Sequence, residues 1–166
     1  MKGLSKKEIE LIASLEFDEK YFFTSADVDL FAKNKIQRYN LIKNLLKKKR
    51  IIKLNRTKYI LIPIKAKGDY WSEDGFILAD EMCDGKNYVI GGYAAANYWR
   101  LSDQIPFQVD VYTTRRQGKK KIMNTRIVFH RTTAKKVKSA EIKTIQKHAC
   151  RIMSKEETKK WMRSLK

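Results

Sequence analysis

The sequence predicts an α+β protein of two domains, a winged helix-turn-helix over residues 1–64 and a small α+β domain with a mainly antiparallel sheet over residues 74–166. Three observations carry this prediction. Helix-period stretches crowd into the opening third of the chain and run straight into two short β-rich segments around a polar turn. The stretch "KAKGDYWSEDG" then breaks every periodicity, which makes residues 65–73 a linker. Beyond it, "FQVDVYTT" alternates apolar and polar residues with the period of two that a strand requires.

The first helix begins at a capping box in "SKKEIELIASLE", where Ser5 can bond the Glu8 amide while Glu8 reaches back to Ser5. Leu4, Ile9, Ile12 and Leu15 give it an apolar face. Thr24 or Ser25 is placed to cap a short second helix over "ADVDLFA", with Val28, Phe31 and Ala32 on one side. Asn34 caps the third, "KIQRYNLIKNLLKKK", whose lysine-rich end suits the negative end of the helix dipole. On a wheel of about 100° per residue, Ile36, Tyr39, Ile42 and Leu46 fall on one side, widened by Leu41 and Leu45. Gln37, Asn40, Lys43, Asn44, Lys47 and Lys48 fall on the other.

That second face holds amides and lysines and no acid. Asn and Gln can bond adenine bidentately from the major groove, and lysine reaches guanine or phosphate. Gln37, Asn40, Lys43, Asn44 and Lys47 are therefore candidate DNA contacts, with Arg38 nearer the edge of the apolar arc. The hairpin in "RIIKLNRTKYILIP" carries Arg56 and Lys58 at its tip, placed for backbone or minor-groove contact. Helix-turn-helix followed at once by a tight hairpin is the order of a winged helix, a fold that also serves protein contacts. The residues on it, rather than the fold, point to double-stranded DNA.

Charge agrees with that reading. The 166 residues hold 37 Lys and Arg against 18 Asp and Glu, a formal +19 that attracts polyanions and makes their binding salt-dependent. Residues 1–66 carry +9, residues 67–112 carry −5 and residues 113–166 carry +15. With 43% apolar residues and only two prolines and seven glycines, the chain has the composition of a folded protein. It contains no apolar run long enough to span a membrane and no signal-peptide pattern, so a cytoplasmic protein without a membrane partner is expected. Cys83 and Cys150 are isolated, which suggests buried thiols rather than a disulfide or a metal site.

In the second half, "GFILADEMC" reads as a helix from Asp74, followed by the short run "YVI" and the glycine pair Gly91–Gly92. A glycine pair before a helix can cradle phosphate, but neither a following lysine nor a third glycine at dinucleotide-motif spacing is present, and the block is acidic. The favoured reading is a tight turn into a helix whose Ala94, Ala95 and Ala96 lie close to a sheet. Phe107, Val109 and Val111 face one side of the next strand, and Gln108, Asp110 and Tyr112 the other. "RRQGKKK" then reads as the tip of a long hairpin closed by "RIVFH". Its Arg115, Arg116, Lys119, Lys120 and Lys121 form a second basic surface for phosphate or an acidic protein, or a solvated tip. "EIKTIQ" and "CRIM" read as short strands, and Ser154 with Glu157 as a capping box for a last helix docked by Trp161 and Leu165.

Taken together, the helix-turn-helix, the wing ending in Tyr59, Leu61 and Pro63, then Gly92, Ala95, Leu101, Gln104, Pro106 and the alternating strand resemble AbiEi-type antitoxins of type IV toxin–antitoxin systems. The resemblance covers roughly residues 5–155. It implies a promoter-binding winged helix that represses its own operon, and a C-terminal domain that counters a nucleotidyltransferase-like toxin. Two departures stand out: Arg100 occupies a position where the family usually has glycine, so the helix end there is expected to be built differently, and only about a dozen residues follow Ser154.

Two other readings compete. Asp110 with Glu141-x-Lys143 faintly matches the acid and acid-x-lysine set of Mg²⁺-dependent nucleases, although Glu157-x-Lys159 repeats the triplet and one or two are expected by chance in about this composition. His130 and His148 have no acid beside them in sequence, and no nucleophile–base pair can be nominated. The chain is expected not to be an enzyme and to need no cofactor or metal. The second competitor is a protein-binding adaptor that uses its acidic middle block and keeps its basic ends for solubility. Oligomeric state is left open.

Overall fold

The computed structural model describes residues 3–66 and 71–165, so residues 67–70 of the expected linker lie outside the described residues. The chain is α+β and divides into two compact units, Met1–Trp71 and Ser72–Lys166.

The first unit runs α1 (Lys6–Phe17), β1 (Phe22–Thr24), a 3₁₀ turn (Asp29–Phe31), α2 (Lys35–Lys47), β2 (Ile51–Lys53) and β3 (Lys58–Leu61). Its sheet is antiparallel with β3 in the middle, in the order β1-β3-β2. The capping box of α1 forms: Ser5 N donates to Glu8 Oε2 at 2.6 Å and Glu8 N to Ser5 Oγ at 3.4 Å. The buried stripe of α1 is Glu8, Leu11, Ile12 and Leu15, spaced as successive turns of one face. Ile9, expected on that face, is exposed. Glu8 takes the core position because Lys48 Nζ, just past the end of α2, reaches its Oε2 at 2.6 Å.

The short second helix reduces to a single 3₁₀ turn. Asp27 accepts from both Thr24 N (2.7 Å) and Thr24 Oγ1 (2.9 Å), and this local bonding holds the chain in a turn that competes with helix. Strand β1 has no counterpart in the sequence reading. Its Phe23 is buried and stacks on Tyr59 at 5.6 Å between ring centres.

The second unit runs α3 (Gly75–Met82), β4 (Tyr88–Gly91), α4 (Gly92–Tyr98), β5 (Gln108–Thr113), β6 (Gly118–Ile122), β7 (Thr125–Arg131), α5 (Ala134–Lys138), β8 (Glu141–Ile145), β9 (His148–Ile152) and α6 (Lys155–Arg163). The sheet order is β6-β7-β5-β4-β9-β8. It is mixed, with three of its five pairings antiparallel, as expected, and two parallel, β5 with β7 and β4 with β9. The expected hairpin between "FQVDVYTT" and "RIVFH" is therefore absent, and β6 returns the chain as an edge strand beside β7. Consecutive residues Val109–Asp110–Val111 and Ile127–Val128–Phe129 are all buried, as befits neighbouring strands covered on both faces.

Further differences are local. Helix α5, capped by Thr133, was not expected. Ser154 Oγ accepts from Glu157 N at 3.2 Å, but the Glu157 carboxylate accepts from Ser139 Oγ, so the second capping box is half formed. Trp161 meets Tyr93 edge-on at 5.2 Å, whereas Leu165 is exposed, as is Phe107 ahead of β5.

The glycine pair joins β4 to α4 where side chains have no room. A Cβ on Gly91 would lie 2.7 Å from both Met153 Cε and Tyr112 Cε2. Gly92 has φ +62°, and a Cβ there would lie 2.6 Å from Asp110 Oδ2. At the other end of α4, Arg100 N bonds Asn97 O at 2.9 Å and Leu101 N bonds Ala96 O at 2.8 Å. This is a left-handed helix ending of the kind glycine favours, with Arg100 at φ 54°. The end is thus built in the glycine manner, by an arginine.

Two predictions follow from these contacts. Burial alone would raise the Glu8 pKa, but Lys48 and the Ser5 donors outweigh it and hold the carboxylate below its ordinary 4.5. A depressed folded-state value means stability present above about pH 4.5 and lost as pH falls through that lower value. Lys48→Met should cost about 3 kcal/mol at neutral pH, and Glu8→Gln should flatten the acid limb, both read by thermal unfolding from pH 7 to pH 3. Substitutions at the two ends of α4 should act with opposite sign: Gly92→Ala lowers stability by about 2 kcal/mol or more, and Arg100→Gly raises it by about 0.5–1 kcal/mol, measured by urea denaturation.

Candidate nucleic-acid interface

Helix α2 is fixed at its start by the Asn34 cap and by the Gln37 side chain. Asn34 Oδ1 accepts from Gln37 N at 2.9 Å, and Gln37 Oε1 accepts from Lys33 N at 3.0 Å and Lys7 Nζ at 3.4 Å. One turn on, Arg38 Nη1 lies 2.7 and 2.9 Å from the two carboxylate oxygens of Asp29. Gln37 and Arg38 are thus both half-buried and bonded within the protein; Gln37 lies one turn before Asn40 on the same strip, while Arg38 turns toward Asp29. Leu41, Ile42 and Leu45 are the buried face.

Opposite that face, Asn40, Lys43, Asn44 and Lys47 are exposed along one side of the helix, together with Lys35. Two residues assigned to the apolar arc join them: Ile36 is 71% exposed and Tyr39 is 63% exposed. They correct the sequence reading. Ile36 precedes Leu45 by nine residues, half a turn out of phase at about 100° per residue, so once Leu45 is buried Ile36 must point away. Lys43 Nζ sits 5.8 Å from the centre of the Tyr39 ring. Lys48, also expected on this face, is drawn to Glu8 and to Gly3 O.

The hairpin tip is held by Asn55, whose Oδ1 accepts from Thr57 N and Lys58 N, both at 2.9 Å. Arg56 is exposed at the tip, while Lys58 is half-buried and already the first residue of β3.

In the second unit the five basic candidates are not a hairpin tip. Lys119, Lys120 and Lys121 lie along edge strand β6, with Lys119 and Lys121 exposed. Arg115 is exposed in the bend before it. Arg116 packs over the Phe129 ring at 3.7 Å and donates to Met82 O at 3.2 Å, so it serves the fold. Helices α5 and α6 border a groove of about 420 Å³ whose lining includes Lys135, Lys136, Lys160, Glu157 and Trp161.

Both histidines have carboxylate neighbours that no local sequence signal reveals. His130 Nε2 is 2.7 Å from Asp110 Oδ1, which Gln108 Nε2 also reaches at 3.2 Å, and the imidazole stacks on Tyr112 at 4.9 Å. His148 Nδ1 lies 3.4 Å from Asp80 Oδ2 and 3.5 Å from Glu81 Oε1. Donor atoms of Asp80, Glu81 and His148 lie within 4.8 Å of one another, a set that could hold a divalent cation. Asp80 is already engaged on both sides, by the imidazole at Oδ2 and by Tyr88 OH at 2.7 Å on Oδ1. The arrangement is therefore an imidazole shared between carboxylates.

The acid and acid-x-lysine set does not assemble. Glu141 and Lys143 pair with each other at 2.9 Å on edge strand β8, three strand steps from the β5 that carries Asp110, or roughly 14 Å at the usual strand spacing. Cys83 and Cys150 are buried and free, and burial pushes their thiols up to about 11 and about 12.

No protein-family model and no curated protein sequence matches the chain. Among the described residues, no helix is long and apolar enough to cross a membrane.

The thiol environment yields a direct check. In the native protein at pH 8, Ellman's reagent should label neither cysteine faster than the unfolding that exposes it, and both promptly in denaturant. Rapid labelling of the native protein would contradict the burial described.

Proposed function

We propose that the chain is a cytoplasmic, sequence-specific DNA-binding repressor whose first unit is a winged helix and whose second unit is an antitoxin domain. The observation that carries the DNA reading is the exposed side of α2. Asn40, Lys43, Asn44 and Lys47 stand there on one helix with no acid among them, in a chain of net charge +19. Amides offer paired hydrogen bonds to adenine, and lysines offer charge to guanine or phosphate.

The element order supports the same reading. A helix, a short strand, a 3₁₀ turn, a second helix and a hairpin, with the short strand closing the sheet on β3, is the order a winged helix has. In that fold α2 enters the major groove and the tip residue Arg56 lies against the backbone or the minor groove. Gln37 and Arg38 then act as supports, one closing the cap of α2 and the other tying it to Asp29. The antitoxin role of the second unit rests on the resemblance to AbiEi-type proteins, whose partner is a nucleotidyltransferase-like toxin. The operon's own promoter is the expected operator, and a nucleotidyltransferase-like reading frame immediately downstream is the expected neighbour.

Titration of promoter DNA tests the assignment. Asn40→Ala with Asn44→Ala should lose discrimination among sequences by about 1–3 kcal/mol per lost bidentate pair. Lys43→Ala should weaken all duplexes alike and lower the salt slope by about one unit. Unchanged binding in these variants removes the recognition-helix role.

A further inference from the structure

Resting on the winged-helix reading, we propose that Ile36 and Tyr39 read thymine methyl groups, so that the recognised site carries thymines beside the base that Asn40 bonds. Single exposed apolar side chains are ordinary on protein surfaces. Here two stand together, Ile36 at 71% and Tyr39 at 63% exposure, on a face otherwise made of amides and ammonium groups. A surface that only gripped phosphate would need neither. The major groove presents one apolar feature on its floor, the 5-methyl of thymine, and apolar side chains are what contact it.

Position along the helix agrees. Recognition helices meet base edges with their N-terminal residues, and Ile36, Tyr39 and Asn40 all lie in the first half of Lys35–Lys47. Asn40 follows Ile36 by four residues and Tyr39 follows it by three, so Ile36 lies between the amide and the aromatic ring on the outer face of the helix. The Asn34 cap, the Gln37 bond to Lys33 N and the Arg38–Asp29 pair clamp this same turn. Lys43 lies over the Tyr39 ring and brings positive charge to the same stripe. Neither apolar residue contributes to the buried core, so replacing them leaves the fold in place.

The test is selection of bound duplexes from a randomised library by the full-length protein, followed by replacement of individual thymines with deoxyuridine, which removes only the methyl. Fixed thymines should emerge, and each deoxyuridine at a contacted position should weaken wild-type binding about fourfold, the value of one buried methyl. Ile36→Ala should become indifferent to one such replacement and Tyr39→Ala to a neighbouring one, while both keep the salt slope of the wild type. Selected sites that bind equally well with deoxyuridine throughout overturn this proposal and leave the DNA-binding reading standing. Absence of any enriched or bound duplex at low salt overturns both.

Discussion

The rotation of α2 about its own axis is the constraint on which the first unit depends. Leu41, Ile42 and Leu45 set it by burial, and the cap and ion pair at the helix start hold it from the surface side. Burying three aliphatic side chains is worth several kcal/mol, at about 1.5–3 kcal/mol each, far more than an exposed ion pair gives. The aliphatic residues therefore choose the rotation, and the polar contacts sharpen it. Once it is chosen, the identity of every outward residue follows, including the two apolar ones.

The second unit is organised around a tighter constraint, the approach of the α4 start to β5. Asp110 fills the space above Gly92 and is itself reached by His130 and Gln108, so the backbone, the carboxylate and the imidazole occupy one compact polar spot on the sheet. A mostly buried carboxylate persists only when donors compensate its lost hydration. Here the donors come from β5 itself and from the parallel neighbour β7, which explains why the polar residue at this position does not interrupt the sheet.

Much of this was legible in the sequence, and the reasons for the rest are specific. Local signals worked: the Ser5–Glu8 box, the Asn34 cap, the Asp74 start of α3 and the tight turn at Gly91–Gly92 all involve residues within a few positions of one another. Non-local pairing did not: nothing in the alternation of "FQVDVYTT" distinguishes a hairpin partner from a parallel one, and the carboxylate neighbours of His130 and His148 lie 20 and 68 residues away in sequence. For the candidate interface, the exposed amides and lysines were legible, but Ile36 and Tyr39 were misassigned. Their signal was present, since the apolar arc of α2 spans roughly 220°, about twice what one helix face buries, and half of it had to be left outside.

Edge strand β6 carries a further meaning. Its Lys119 and Lys121 stand exposed on an edge strand of the sheet. A second copy adding itself there would bring lysine against lysine in a ladder about 4.8 Å deep, with both ammonium shells to be stripped. The positive charge on this edge thus opposes the growth of the sheet by addition of a second copy, so that a strand left at the rim is protected by its own side chains.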